Sequence, residues 1–404
     1  LMLIALALIA VPAFAQESEI PLDPAFRTGQ LDNGMTWYVR ENTEPEERAF
    51  LNLVVKTGSL QEDDDQQGLA HFLEHMAFNG TDHFAKNELV DYLESIGMAF
   101  GPDLNAYTSF DETVYMLQVP TGDPEILETA FQILADWAGG MTLDPEDIDK
   151  DRGVVIEEWR GRRGAQQRLR DKQFPVLFKD SRYAERLPIG KKEILDTFTD
   201  DALGRFYEAW YRPDLQTVIA VGDAPADQLE TLIRKYFEPL EPHSEPAERV
   251  VFEVPDQPDR RVSIETDPEA TQTSLSVYYL RPVDAMQTRD DYRDYLRNDL
   301  FTTMLNLRFA EIVKKPGAPF LGASCYKGNF IRSKGVFALG AGVEDDGLER
   351  GLEAVLAEAA RLKQHGFTQG EVDRARAMSL RGMQVAYNER EKTPSASFAS
   401  EYVD

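Results

Sequence analysis

Cysteine is almost missing from this sequence of 404 residues, where Cys325 stands alone. A single thiol excludes an intrachain disulfide framework and a cysteine-based metal cluster. Histidine is scarce too, with five in the whole chain, so any clustering of them carries information. Positive charge is also short: 43 Lys and Arg against 71 Asp and Glu give a formal net charge of −28. Phosphate backbones need clustered Lys and Arg, so this balance argues against a nucleic-acid binder. It suits a basic or neutral partner, or simply an acidic surface that favours solubility. Long hydrophobic runs are lacking as well. The apolar run at the start, Leu1 to Val11, has eleven residues, too few to span a bilayer. With Ala13-Phe14-Ala15 behind it, the run reads as a signal peptide, residues 1–15, cut before Gln16. The charged leader that normally precedes such a run is missing, and the expectation is a piece of a longer precursor.

What is present supports a folded protein. Hydrophobic residues make up 42% and charged residues 28%, enough for a buried core under a solvated surface. A single core usually stops growing near about 250 residues, so two domains are expected. The segments "MTWYVRENT" and "AFLNLVVKTGS" read as strands, "KNELVDYLESI" as a helix, and "ETVYMLQVP" as a strand ended by Pro120. Helices follow over Pro124 to Trp137 and, started by "LDPEDI", from Pro145 to about Lys172, before the strand "LQTVIAVGD". The pattern is α+β, with mainly antiparallel sheets packed with long helices. The Pro- and acid-rich stretch Pro239 to Pro258 has no sustained period and reads as a linker. This gives units at 16–240 and 259–404 joined by 241–258. The second unit repeats the order of the first: "TSLSVYYLRP" answers "AFLNLVVKTGS", and "GVFALGAGV" answers "ETVYMLQVP". An offset of 224 sets Asp149 on Asp373 and Arg152 on Arg376, but puts Gly382 opposite Glu158. A duplicated domain follows, with candidate chemistry in one copy only.

That chemistry centres on "GLAHFLEHMAFNGT", which holds His71, Glu74 and His75. Residues three and four apart share a helix face, so the three project together while Leu69, Phe72, Leu73 and Met76 anchor the helix. Two imidazoles one turn apart can bind one zinc ion, and catalytic zinc sites add a third protein ligand and keep an open position. Glu74 suits a general base better than a ligand. His83 lies past the Gly80-Thr81 break and reads as an exposed loop histidine. In "DIDKDRGVVIEEWR", Glu157 and Glu158 are adjacent and point about 100° apart, so only one can face such a metal; spacing alone does not choose.

His-x-x-Glu-His is an inverted zinc motif. Together with "NAYTSFDETVY", "DRGVVIEEWR", "PIGKKEIL" and "FYEAWYRPDLQTVIAVGD" in this order, it resembles the pitrilysin/insulinase family of zinc peptidases, in particular a bacterial periplasmic PqqL-like branch. The resemblance is specific from Leu31 to about Gly222 and looser beyond. It implies one zinc ion held by His71, His75 and Glu158, with Glu157 as fallback, and Glu74 as general base of a metalloendopeptidase. It implies a supporting role for Asp151, where the family usually has glutamate. It implies that Asn105 and Ala106 lie on an edge strand that pairs with extended peptide substrates, a form of β-augmentation. A periplasmic location is expected, with peptides or small unfolded proteins as substrates. A second two-domain half is the expected partner, in a continuation of the same chain, and the second unit here would be non-catalytic and incomplete. Some family members are inactive assembly or peptide-binding subunits; the intact His71, Glu74 and His75 point instead to an enzyme.

Overall fold

The computed structural model describes residues 19–403 apart from 87, 162–163 and 243–245. The expected signal peptide therefore lies outside the described residues. In the first part of the chain, β1 (Phe26–Gln30), β2 (Thr36–Glu41) and β3 (Arg48–Val55) lead to α1 (Leu69–Met76) and α2 (Glu88–Ser95). Next come β4 (Leu104–Thr108), β5 (Thr113–Pro120), α3 (Pro124–Gly139), α4 (Pro145–Gly161) and α5 (Ala165–Leu177). The run closes with α6 (Lys192–Thr197), α7 (Asp200–Trp210), β6 (Gln216–Gly222) and α8 (Ala226–Phe237).

These strands form one six-stranded sheet in the order β1-β2-β6-β3-β5-β4. Only the β2–β6 pair is parallel. All seven residues of β6, "QTVIAVG", are buried, as a central strand covered on both faces requires. On one face, Leu51, Leu53 and Tyr115 of the sheet pack with Leu69, Phe72, Leu73 and Met76 of α1 and with Phe131, Leu134 and Trp137 of α3. The apolar face of the histidine helix is thus its anchor, and the polar face is left for the site.

The second part contains β7 (Thr273–Arg281), α9 (Arg289–Val313), β8 (Gly322–Ile331), β9 (Lys334–Val343), α10 (Leu348–His365), α11 (Gln369–Asn388) and α12 (Ser395–Glu401). Its sheet has the order β7-β9-β8, all antiparallel. This is the order β3-β5-β4 of the first sheet, with α10 and α11 following the third strand in sequence as α3 and α4 follow β5.

One feature differs from the reading of the sequence, and two others were not part of it. The helix expected from Pro145 to Lys172 is two helices, and Gly164, in an extended conformation, is the N-cap of the second. The Pro-rich connection packs on the first unit, with Val254 fully buried and Arg249 donating to Asp111 O (3.2 Å); beyond it, Arg168 binds Asp267 through two 2.6 Å bonds. Finally, α12 leaves the second sheet and returns to the first. Phe398, Ala399 and Tyr402 lie on the outer face of Val54, Val114, Ile219 and Val221, with Arg40 over the Phe398 ring at 3.7 Å. That face is apolar, and α12 takes it out of water.

Candidate metal centre

The histidine helix begins at Gly68, whose φ of +103° is a left-handed conformation suited to glycine and which has no side chain to cap the helix. Glu62 supplies the cap instead. Its Oε1 accepts the backbone N–H groups of Gly68 (3.0 Å) and Ala70 (2.9 Å), while the residue is fully buried. Burial outweighs those hydrogen bonds and nearby Arg186 and Arg182, and pushes the Glu62 carboxyl up to about 8. Gly190 of the "PIGKKE" loop closes against the same turn: a Cβ on Gly190 would lie 2.3 Å from Gly68 Cα.

Within α1, His71 and Glu74 are buried and His75 is partly exposed. The two imidazole rings stand 4.9 Å apart, nearly perpendicular at 81°. Glu158 of α4 reaches both: its Oε1 lies 3.6 Å from His71 Nε2 and its Oε2 lies 3.1 Å from His75 Nε2. Burial disfavours the charged form of His75, yet the hydrogen bond and charge of Glu158, aided by Glu74 and Asp151, hold its pKa above the ordinary value. Glu157 turns to the surface, where it pairs with Arg160. The adjacent glutamates thus take the two directions that helical geometry demands.

Helices α1 and α4 are locked together from below. Arg152 of α4 donates to Leu195 O (2.8 Å) and Phe198 O (3.2 Å) and lies over the Phe198 ring at 3.9 Å. Phe198 in turn packs edge-on against Phe72 of α1 at 4.8 Å. On the other side of the site, Asp151 is buried and accepts Asn79 Nδ2 at 2.6 Å, which ties α4 to the turn after α1.

Edge strand β4 borders Glu74. Thr108 Oγ1 donates to Glu74 Oε2 at 2.7 Å. Asn105 and Ala106 pair with Met116 and Tyr115 of β5 on one side. Among the described residues no strand lies along the other side. His83 stands apart; its Nδ1 is 2.8 Å from Asp136 Oδ1.

Among the described residues, His71, His75 and Glu158 form a group whose candidate ligand atoms all lie within 4.8 Å of one another. Ligands at about 2.0–2.1 Å from a tetrahedral zinc ion stand about 3.3 Å from each other. The two Glu158 oxygens, one facing each imidazole at 3.6 and 3.1 Å, lie near that length, and two imidazoles with one carboxylate are a donor set that zinc accepts. The residues fit the ion. Thr108, Asn79 and Glu62 were not singled out from sequence. Thr108 and Asn79 lie in quoted motifs, whereas Glu62 is hidden in the acidic run "EDDD".

The chain is similar to known proteins along most of its length. Residues 38–178 match the family model for insulinase, peptidase family M16, and residues 197–379 match the model for the peptidase M16 inactive domain. The chain is 37% identical over 376 residues to a zinc protease PQQL-like protein of Arabidopsis thaliana, covering 93% of this chain and 36% of that one. It is 30% identical over 393 residues to the probable zinc protease PqqL of Escherichia coli (strain K12), covering 95% of this chain and 41% of that one. It therefore spans about two-fifths of the length of these curated relatives. The crystal structure of the first half of the periplasmic protease PqqL from Escherichia coli superposes with a TM-score of 0.89 at 30% identity, covering 96% of this chain and 82% of that one. The chain belongs to the insulinase family, peptidase family M16, and resembles its PqqL-like members.

Proposed function

We propose that this chain is the catalytic part of a zinc metalloendopeptidase that hydrolyses peptides or small unfolded proteins. The observation that carries this reading is the approach of Glu158 to both histidines of α1, with Glu74 on the same helix beside the free edge of β4. In it, His71, His75 and Glu158 hold one zinc ion per chain. A bound zinc ion supplies Lewis acidity, which polarises the scissile carbonyl and makes a water easier to deprotonate. Glu74 takes the proton of the attacking water and delivers it to the leaving amine. Asp151 supports the site through Asn79 and the turn after α1. The backbone of Asn105 and Ala106 adds the substrate as a further strand, which binds an extended peptide with little regard to its sequence.

The PqqL likeness supports the rest of the reading. The first unit, 16–240, carries the chemistry, and the unit 259–404 is its non-catalytic counterpart. The protein is exported to a bacterial periplasm, and a second half of the same fold completes the enclosure around the substrate. No helix among the described residues is long and apolar enough to cross a membrane.

The test is hydrolysis of a mixed quenched-fluorescent peptide library by the zinc-loaded protein beside its Glu74→Gln variant. Cleavage by the parent alone supports the reading. Equal cleavage by both, or a parent that neither cleaves nor holds zinc, contradicts it.

A further inference from the structure

A side chain of the edge strand reaches the general base. Thr108 is the last residue of β4, and its hydroxyl donates to Glu74 Oε2 at 2.7 Å. A threonine hydroxyl has one proton to give, and here an acidic side chain takes it. The backbone that carries the hydroxyl is held by β5. Thr108 pairs with Thr113, whose Oγ1 lies 3.4 Å away, is fully buried, and donates to Thr57 O at 3.0 Å. Threonine is also stiff about its first side-chain torsion, so little freedom remains in the donor.

Two tyrosines of the core that α1 packs into are equally constrained. Tyr115 and Tyr211 join hydroxyls at 2.7 Å. Burial, with the charge of Glu74 among the further causes, holds both phenols in their neutral form. The Glu74 carboxylate thus has a directed donor from β4, and the tyrosine pair adds no charge to the core that α1 packs into.

We propose that Thr108 is a positioning residue for the peptidase reaction: its hydroxyl holds the Glu74 carboxylate in the orientation that proton transfer needs, from the strand that binds the substrate. This rests on the peptidase reading and adds to it a link between substrate and base. A peptide paired along β4 steadies the strand, and the strand steadies Glu74. An apolar side chain of the same shape at 108 keeps the β4 backbone pairing and removes this one hydrogen bond from the carboxylate.

The test compares Thr108→Val and Thr108→Ser with the parent in the intact, zinc-loaded protein, using one peptide substrate. Thr108→Val is expected to lower kcat by about 10- to 100-fold, the scale of a misplaced reacting group. KM, zinc content and melting temperature are expected to stay near the parent's, and Thr108→Ser to recover most of kcat. In the Glu74→Gln background, Thr108→Val should leave peptide affinity unchanged. A Val variant with parental kcat overturns the proposal, as does a Ser variant as slow as Val. Loss of zinc or a large drop in melting temperature in the Val variant assigns Thr108 a structural role and also overturns it. If the Val variant does not fold, Thr108→Ala against Thr108→Ser makes the same comparison. A parent that neither cleaves nor holds zinc removes the peptidase reading itself, and the role of Thr108 with it.

Discussion

Glu158 Oε2 lies 3.1 Å from His75 Nε2, while Glu157, one residue earlier on the same helix, pairs with Arg160 at the surface. The two glutamates are chemically identical and differ only in direction. Replacing each by glutamine should separate them. Glu158→Gln is expected to lower zinc affinity by more than the roughly 10- to 100-fold typical of losing an outer partner, and Glu157→Gln to leave it near the parent's. Chelator competition measures both.

Glu62 makes a pH-dependent contribution to stability. Its carboxyl titrates at about 8 in the folded protein, raised chiefly by burial from an ordinary value of 4.5. Between those values the unfolded chain is ionised while the folded chain keeps its proton. The benefit of this group is full below the lower value and is lost as pH rises toward the upper one. Glu62→Gln keeps an acceptor for the N–H groups of Gly68 and Ala70 and removes the titration. Urea unfolding with chelator present should show the variant gaining on the parent, by up to about 1.4 kcal/mol per pH unit, from pH 5 toward 8. A constant difference across that range would contradict the assignment.

The close approach of Gly190 to Gly68 makes a methyl group there intolerable. Gly190 has a φ of +72°, and the added Cβ would meet backbone rather than a movable side chain. Gly190→Ala is expected to cost about 1–3 kcal/mol in unfolding free energy and to weaken zinc binding through the displaced first turn of α1. Parental values for both would mean that the turn is free to shift.

Phe398 tests whether the last helix matters to the first sheet. It packs against Phe26, with ring centroids 6.2 Å apart, and under Arg40 at 3.7 Å. Phe398→Ala is expected to destabilise the protein by about 2–3 kcal/mol, below the value for a fully buried ring because Phe398 is only partly buried. Unfolding followed through tryptophan fluorescence should register it, since all four tryptophans lie in the first unit.

What the sequence disclosed follows from what is local. His71, Glu74 and His75 are four residues apart at most, so helical geometry alone puts them on one face, and Leu69, Phe72 and Met76 show which face is buried. Antiparallel strands and long helices were equally visible in their periods. Contacts across elements were not visible in the same way. The Thr108–Glu74 bond requires β4 to lie beside α1, and the Asn79–Asp151 bond requires α4 to meet the turn after α1. Glu62 looked like the start of a solvated acidic run, since nothing in "EDDD" marks one carboxyl as buried. Helix α12, "SASFASE", is too short and too weakly apolar to announce that it covers the opposite face of a sheet begun more than 350 residues earlier.

Zinc-edge anomalous diffraction from crystals of the zinc-loaded protein tests the metal centre most directly. The account predicts one peak per chain bonded to His71 Nε2, His75 Nε2 and the Glu158 carboxylate, with Glu74 alongside and not ligating. A peak held by Glu157 or His83, or no peak between α1 and α4, would contradict it.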